Sequence, residues 1–334
     1  MQKKNQTEEL NVVFNKLIVD YKTLRRSLAD IYNQSQNIRV LSFNSAIEAA
    51  RAGQAGNGFK IISEEIRNIS EKNDAGSQAS NAVVDSIEKK MYDLIGIRTA
   101  DVAFDIIDKI DRNLFERYCD VQAWATFGKI IDACSKPSEE TYEKAQNILE
   151  RMVRIYEVYH DAILTDMNGK VICAGVRKEL RGTDLSSREW FKTVCTEKKI
   201  VYSDMYYSSS RKTWAVAYTC PVFAPDGSMI GVLSTRFNWQ YILNIVDESK
   251  VSPTGDICVI NSEGAVIASR NRADILKRNL SDTEAFHQLS SDIPYGFCYT
   301  KKTGSFFTVY GFAHTCGYNS YPGKNWSVII REEY

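Results

Sequence analysis

Apolar residues recur at heptad spacing through the first part of the chain. Leu10, Leu17, Leu24, Ile31 and Ile38 fall every seven residues, with Val13 and Leu28 on neighbouring rows. Beyond a glycine-rich patch, Phe59, Ile62, Ile66, Ile69, Asn73, Gly76, Ser80, Val83 and Ile87 follow alternating steps of three and four. Both runs have the period of a coiled-coil seam, weakened locally by the small or polar Asn73, Gly76 and Ser80. Between them lie Gly53, Gly56 and Gly58, a signal that ends one helix and starts another. The pattern predicts an antiparallel helical hairpin over residues 1–97, its tip near 53–58, with arms roughly 60–75 Å long. Such arms expose more apolar seam than they can cover. A homodimer forming a four-helix bundle is the simple solution, and packing on the rest of the chain is the alternative.

The period then changes. Phe104, Ile107, Ile110, Leu114, Val121, Trp124, Phe127 and Ile131 share one broad helical face between Ala100 and Ser135. Pro137 interrupts it, and residues 139–158 read as another amphipathic helix. From residue 160 the pattern becomes strands and turns. The run from Ile163 through Asn168-Gly169 to Ile172 resembles the run from Ile257 through Gly264 to Ile267, and Pro225-Asp226-Gly227 repeats the turn device. Two similar α+β units in tandem follow, at about 160–240 and 255–331. The fold class is therefore α + (α+β): a helical hairpin (1–97), a helical stalk (98–159), a first module (160–250) and a second module (251–334).

Composition narrows the function. Lys+Arg and Asp+Glu both number 42, so sequence-independent nucleic-acid binding loses its usual driving force. No apolar run is long enough for a membrane helix, and the first residues do not form a signal peptide. On that ground the chain is expected to be cytoplasmic. The eight cysteines include no C-x-x-C pair and read as free, half-buried thiols. His160, His287 and His314 are too far apart for a zinc helix motif. No nucleophile elbow, Walker loop or dinucleotide fingerprint is present. The expectation is a non-enzyme without metal or cofactor.

Two segments carry resemblances. Residues Asn44–Arg67, NSAIEAARAGQAGNGFKIISEEIR, resemble the hairpin tip of bacterial methyl-accepting chemotaxis proteins. The resemblance implies dimers packed as trimers of dimers, bound to a chemotaxis histidine kinase and its coupling adaptor. Carried over by position, Phe43, Asn44, Glu48 and Arg51 fall at the trimer contact, and Gln54, Asn57 and Ile61 at the adaptor or kinase contact. Gln36, Arg39 and Asn57 depart from the family, which usually has Phe, Asn and Arg there. Read from chemistry alone, Glu48 and Arg51 are a solvated helix pair.

The rest, from about residue 98, looks like a double Cache (dCache) sensor with two PAS-like modules. The carriers are Leu114–Ala125 (LFERYCDVQAWA), Asp184–Phe191 (DLSSREWF), Pro221–Gly227 (PVFAPDG), Gly231–Arg236 (GVLSTR) and Trp326–Ile330 (WSVII). The resemblance puts the ligand in the first module. Arg188 offers a planar fork for a carboxylate and Trp190 an apolar wall beside Phe191. Tyr202 and Tyr206 can add hydroxyls. In the amino-acid-binding branch a Tyr precedes the Arg by five positions and an Asp follows the Gly-Val strand. Here those positions hold Thr183 and Arg236. An arginine cannot hold an ammonium group, so a small carboxylate-type anion is expected; alternatively, Arg236 pairs with Asp204 or Asp184 in a structural role. The function this implies is a chemoreceptor that regulates a kinase through the hairpin tip. The alternative is a solute-binding or scaffold protein whose hairpin only dimerises it.

Overall fold

The computed structural model describes residues 2–209, 212–252, 255–289, 293–301 and 307–334, with side chains described from residue 12. Helix α1 (Gln2–Arg51) and helix α2 (Asn57–Ala125) are joined by a 3-10 turn at Gly53–Gly56. Gly56 is fixed by contact: a Cβ there would lie 2.1 Å from the Ala49 carbonyl oxygen, where the turn folds back on α1. Helix α2 runs unbroken for 69 residues, so one rod forms the second arm of the hairpin and continues across the sheets that follow.

The two arms do not meet along the apolar rows. Phe14, Tyr21, Ser35, Ser42 and Ala49 of α1 are buried against Ser63, Ser70, Ser77, Val84 and Met91 of α2. Ser35 and Ser70 exchange side-chain to carbonyl hydrogen bonds at 3.1 and 2.8 Å, and Ser42 donates to the Ser63 carbonyl at 3.0 Å. Small residues let the helices approach closely and satisfy their hydroxyls locally. The seam expected from sequence instead faces outward. Phe59, Ile62, Ile69 and Val83 are 50–68% exposed, and Leu17, Leu24, Ile31 and Ile38 also lie on the surface. Leu10 lies outside the residues whose side chains are described.

Helix α2 ends at Ala125, short of the expected Ser135. Phe127 is extended (φ −67°, ψ 130°) before α3 (Gly128–Ser135), where Thr, an aromatic residue and Gly succeed one another as weak helix formers. Helix α4 (Glu139–Tyr156) starts at a capping box between Ser138 and Thr141.

The first sheet comprises β1 (Tyr159–Thr165), β2 (Val171–Ala174), β3 (Val201–Tyr202), β4 (Tyr206–Ser208), β5 (Thr213–Phe223) and β6 (Met229–Asn238), with α5 (Glu189–Glu197) between β2 and β3. Its order is β2-β1-β6-β5-β3, with β4 also on β5. Helix α6 (Gln240–Glu248) leads to the second sheet: β7 (Asp256–Ile260), β8 (Val266–Ser269), α7 (Glu284–Gln288), β9 (Tyr295–Lys301), β10 (Phe307–His314) and β11 (Ser327–Glu333). Its order, β8-β7-β11-β10-β9, repeats that of the first. Both opening hairpins turn on the same device. Asp166 Oδ1 accepts from the amides of Asn168 and Lys170, and Asn261 Oδ1 from those of Glu263 and Ala265. Gly169 and Gly264 supply the left-handed residue at φ 81° and 79°.

Helix α2 packs across both sheets. Ile107, Ile110, Leu114, Val121 and Trp124 share one core with Val216, Tyr218, Leu233 and Phe237 of the first sheet and Val328 and Ile330 of the second. The modules interlock through Trp239, which donates to the Ile267 carbonyl at 2.8 Å and meets Trp326 edge to face at 5.2 Å. All eight cysteines are free thiols, but only four are half-buried as expected; Cys316 is exposed, and Cys173, Cys220 and Cys258 are buried, which pushes them up to about 12.

Candidate functional site

Strand alternation decides which side chains face the site. Residues 162, 164, 216, 218, 233 and 237 point into the helical core. The odd and even partners therefore point outward, and register aligns them: Asp161 lies opposite Arg236, and Arg236 opposite Ala217. One row along, Ser234 faces Thr219, their hydroxyls 3.0 Å apart. Helix α5 closes one side of this face by packing Phe191 and Val194 on Val232. A cavity of about 440 Å³ opens beside it, bordered by Trp190, Thr193, Ser203, Asp204, Tyr206 and Ala217.

Three arginines gather around Tyr206 at the edge of the cavity: Arg177 from the segment after β2, Arg188 from the start of α5 and Arg236 from β6. Asp161 is fully buried inside β1. Its carboxylate accepts from the amides of Ala162 and Val176, both at 2.9 Å, and from Arg177 Nε at 3.0 Å. Arg236 therefore gains no bond from the acid opposite it, and its Nη1 is buried with no hydrogen-bond partner. Burial lowers the Arg236 pKa; neighbouring Arg177 and Arg188 add to that, against the opposing pull of Tyr206 and Asp161. Burial raises the Tyr206 pKa, while Arg236, Arg177 and Arg188 pull it down. Arg188 is exposed at the N-cap of α5, and no ion pair to it forms among the described residues.

The site residues expected from sequence thus separate. Arg188, Trp190, Tyr206 and Arg236 come together on the outer face. Phe191 is 5% exposed and anchors α5 to the sheet. Tyr202 also borders the cavity, but its ring turns to the inner face, where it stacks on Tyr218 at 5.7 Å and its hydroxyl donates to the Gly323 carbonyl at 3.3 Å. Arg236 pairs with neither Asp204 nor Asp184. Asp204 accepts from Trp326 Nε1 at 2.9 Å, and Asp184 caps the Ser186 amide at 2.8 Å. Sequence reasoning missed Asp161 and Arg177. The available signal was a lone acid inside the apolar strand YHDAILT, which needs a cationic partner when buried.

The hairpin end is a second candidate surface. Phe43 and Ile61 are 67% and 69% exposed, and Asn44, Gln54 and Asn57 are also exposed. Phe43, Ala46, Gln54, Asn57, Lys60 and Glu64 border an open groove of about 450 Å³. Arg51 and Glu48 form an exposed ion pair at 2.8 Å. Such a pair adds little stability.

Cavity, tandem sheets and shared helix define a ligand-binding sensor module. The chain belongs to the Cache domain family dCache_1, which matches residues 62–334. It is similar to the methyl-accepting chemotaxis protein McpG of Pseudomonas putida, at 37% identity over 54 residues, 16% of this chain and 9% of that one. Two solved structures share the fold. The ligand-binding domain of the Pseudomonas aeruginosa amino-acid chemoreceptor PctC in complex with GABA has a TM-score of 0.55 at 18% identity, covering 70% of this chain and 97% of that one. An extracellular ligand binding receptor from Desulfohalobium retbaense has a TM-score of 0.53 at 15% identity, covering 70% of this chain and 40% of that one. The resemblance drawn from sequence, to methyl-accepting chemotaxis proteins and to a dCache sensor domain, is borne out. The chain spans only 8–21% of the length of the curated relatives it matches.

The expected cytoplasmic location does not stand. Structural neighbours of the sensor are extracellular domains of membrane receptors. The expectation rested on the lack of an apolar span. No helix among the described residues is long and apolar enough to cross a membrane, and that fact is the same for a domain on either side of one.

Proposed function

We propose that the chain is a chemoreceptor signal transducer that binds a small carboxylate-type anion on the outer face of its first module. Arg188 and Arg236 supply the cationic contacts, Tyr206 a hydroxyl and Trp190 an apolar wall. Occupancy biases α2, and the hairpin tip passes that bias to a chemotaxis histidine kinase through a coupling adaptor. The two modules act as PAS-like units. The outward apolar rows pair in a homodimeric four-helix bundle, and the tip residues Phe43, Asn44, Glu48 and Arg51 join dimers into trimers. Gln54, Asn57 and Ile61 face the adaptor or kinase.

One observation carries this reading: a single helix, α2, runs from the hairpin end to the core beneath the arginine site. The test is a reconstituted kinase assay with adaptor and the full chain. A change in phosphorylation rate on adding chain, lost in Arg51→Glu, supports it. Dimerisation with no effect on the kinase would instead make the chain a solute-binding or scaffold protein.

A further inference from the structure

We propose that the arginine site takes a compact dianion, a dicarboxylate or a phosphate-type ion, rather than a single carboxylate. The inference rests on the small-anion reading above and specifies its charge. Three guanidinium groups, Arg177, Arg188 and Arg236, cluster around Tyr206, and Asp161 is the carboxylate that bonds one of them. That carboxylate is already occupied by Arg177 at 3.0 Å and by the amides of Ala162 and Val176. Two cations are left over. Arg236 is fixed in mid-strand opposite Asp161, with Nη1 buried and unbonded. Arg188 stands at the start of α5 with no ion pair among the described residues.

Arg236 is half-buried, and leaving its buried Nη1 without an acceptor costs stability that a bound anion would recover. A monoanion bridging to one arginine leaves the other uncompensated. A dianion compensates both, and Tyr206 adds a hydroxyl, since no hydrogen bond to it forms among the described residues. The nearest other acids on the cavity wall are Glu189 and Asp204, and Asp204 already accepts from Trp326. An ammonium group placed between the arginines would meet like charge.

The charge balance predicts opposite signs for two properties of one variant. Arg236→Met removes a half-buried guanidinium whose Nη1 is buried and unbonded, so it should raise the melting temperature of the unliganded protein. The same change should weaken dianion binding by about tenfold or more, the usual effect of losing a charge-assisted bond. A purely structural arginine would lower the melting temperature instead. Arg188→Gln, at an exposed position, should weaken binding similarly without shifting the melting temperature.

The experiment is calorimetric titration of the full chain and both variants with succinate, inorganic phosphate, butyrate and γ-aminobutyrate. The inference holds if succinate or phosphate binds at least about tenfold tighter than butyrate and both variants lose that margin. Succinate and phosphate then separate the two sources of dianion. Equal affinity for butyrate and succinate, both lost in Arg188→Gln, overturns the dianion while keeping the anion reading. Tightest binding by γ-aminobutyrate, or anion binding untouched by either variant, overturns both.

Discussion

Glu332 of β11 and Arg98 of α2 form a buried ion pair, Oε2 to Nη1 at 3.2 Å, where the second sheet lies on the helix that leads to the hairpin. Glu332 also accepts from Thr99 Oγ1 at 3.1 Å, Tyr334 hydroxyl at 2.9 Å and the Ser252 amide at 2.7 Å. The residue preceding β11, Trp326, donates to Asp204 on the wall of the first-module cavity. The segment from Trp326 to Glu332 therefore touches the cavity wall at one end and α2 at the other.

Removing one partner of a buried pair leaves a desolvated charge. Arg98→Ala should destabilise the protein by about 3 kcal/mol. Adding Glu332→Gln should recover part of that loss, because the amide is neutral and still accepts from Ser252. Urea unfolding of both singles and the double measures it. Strict additivity of the two losses would show that the residues do not act as a pair.

Gly96 lies on α2 against the ring of Phe297 in β9, and a Cβ there would fall 2.1 Å from a ring carbon. In an exposed helix, Gly→Ala stabilises by about 1 kcal/mol. Here overpacking should win, with Gly96→Ala costing about 1–3 kcal/mol. Phe297→Ala should relieve the clash, so that the alanine becomes favourable in that background. A double-mutant cycle by chemical denaturation checks the change of sign.

These contacts mark how far the sequence could be read. Turns built on Asp166-x-x-Gly169 and Asn261-x-x-Gly264 were visible because their chemistry is local. The hairpin was visible because the heptad period persists. Which row closes it was not, because Ser35, Ser42, Ser63 and Ser70 carry little hydropathy and the larger residues dominate the pattern. Arg188 and Arg236 were found through motif position. Arg177 was not, since its role depends on strand register placing Asp161 within its reach. The inward turn of Tyr202 likewise follows from pairing with Tyr218, which no local pattern encodes.

The two helical rows of the hairpin should respond differently to substitution. Ile62→Glu with Val83→Glu places charge on the outward row, so it should lower self-association while leaving helicity and melting temperature of the monomer near wild type. Ser70→Leu places bulk between the arms, where Ser35 approaches its carbonyl at 3.1 Å, and should destabilise the hairpin itself. Analytical ultracentrifugation and circular dichroism separate the two. Unchanged self-association in the double Glu variant would remove the outward row as the dimer seam.

Glu48→Ala and Arg51→Glu alter an exposed pair and should shift stability by no more than about 0.5 kcal/mol. Their effect should fall on kinase control in the reconstituted assay. Full kinase control in the doubly substituted chain would discount the tip as the output surface.

Asp111 gives the pH dependence its sign. Its carboxylate is buried on α2 and accepts from Thr315 Oγ1 at 2.6 and 2.7 Å and from the Gly317 amide at 2.9 Å. Burial raises its pKa above the ordinary 3.8, with nearby Asp108 adding to the rise and the Thr315, Gly317 and Cys316 bonds opposing it. A carboxyl whose folded pKa is raised stabilises the protein fully below its unfolded value, and that contribution is lost as pH rises through the folded value. Asp111→Asn holds the side chain neutral at every pH. The stability of wild type relative to Asp111→Asn should therefore fall as pH rises from 3.8 through the raised value, by at most about 1.4 kcal/mol per unit, and then level off. Urea unfolding of both proteins across that range measures the difference, in which all other titrating groups cancel. A difference that grows with pH would mean that the hydrogen bonds from Thr315 and the 316–317 backbone outweigh desolvation, and that the carboxylate is held ionised.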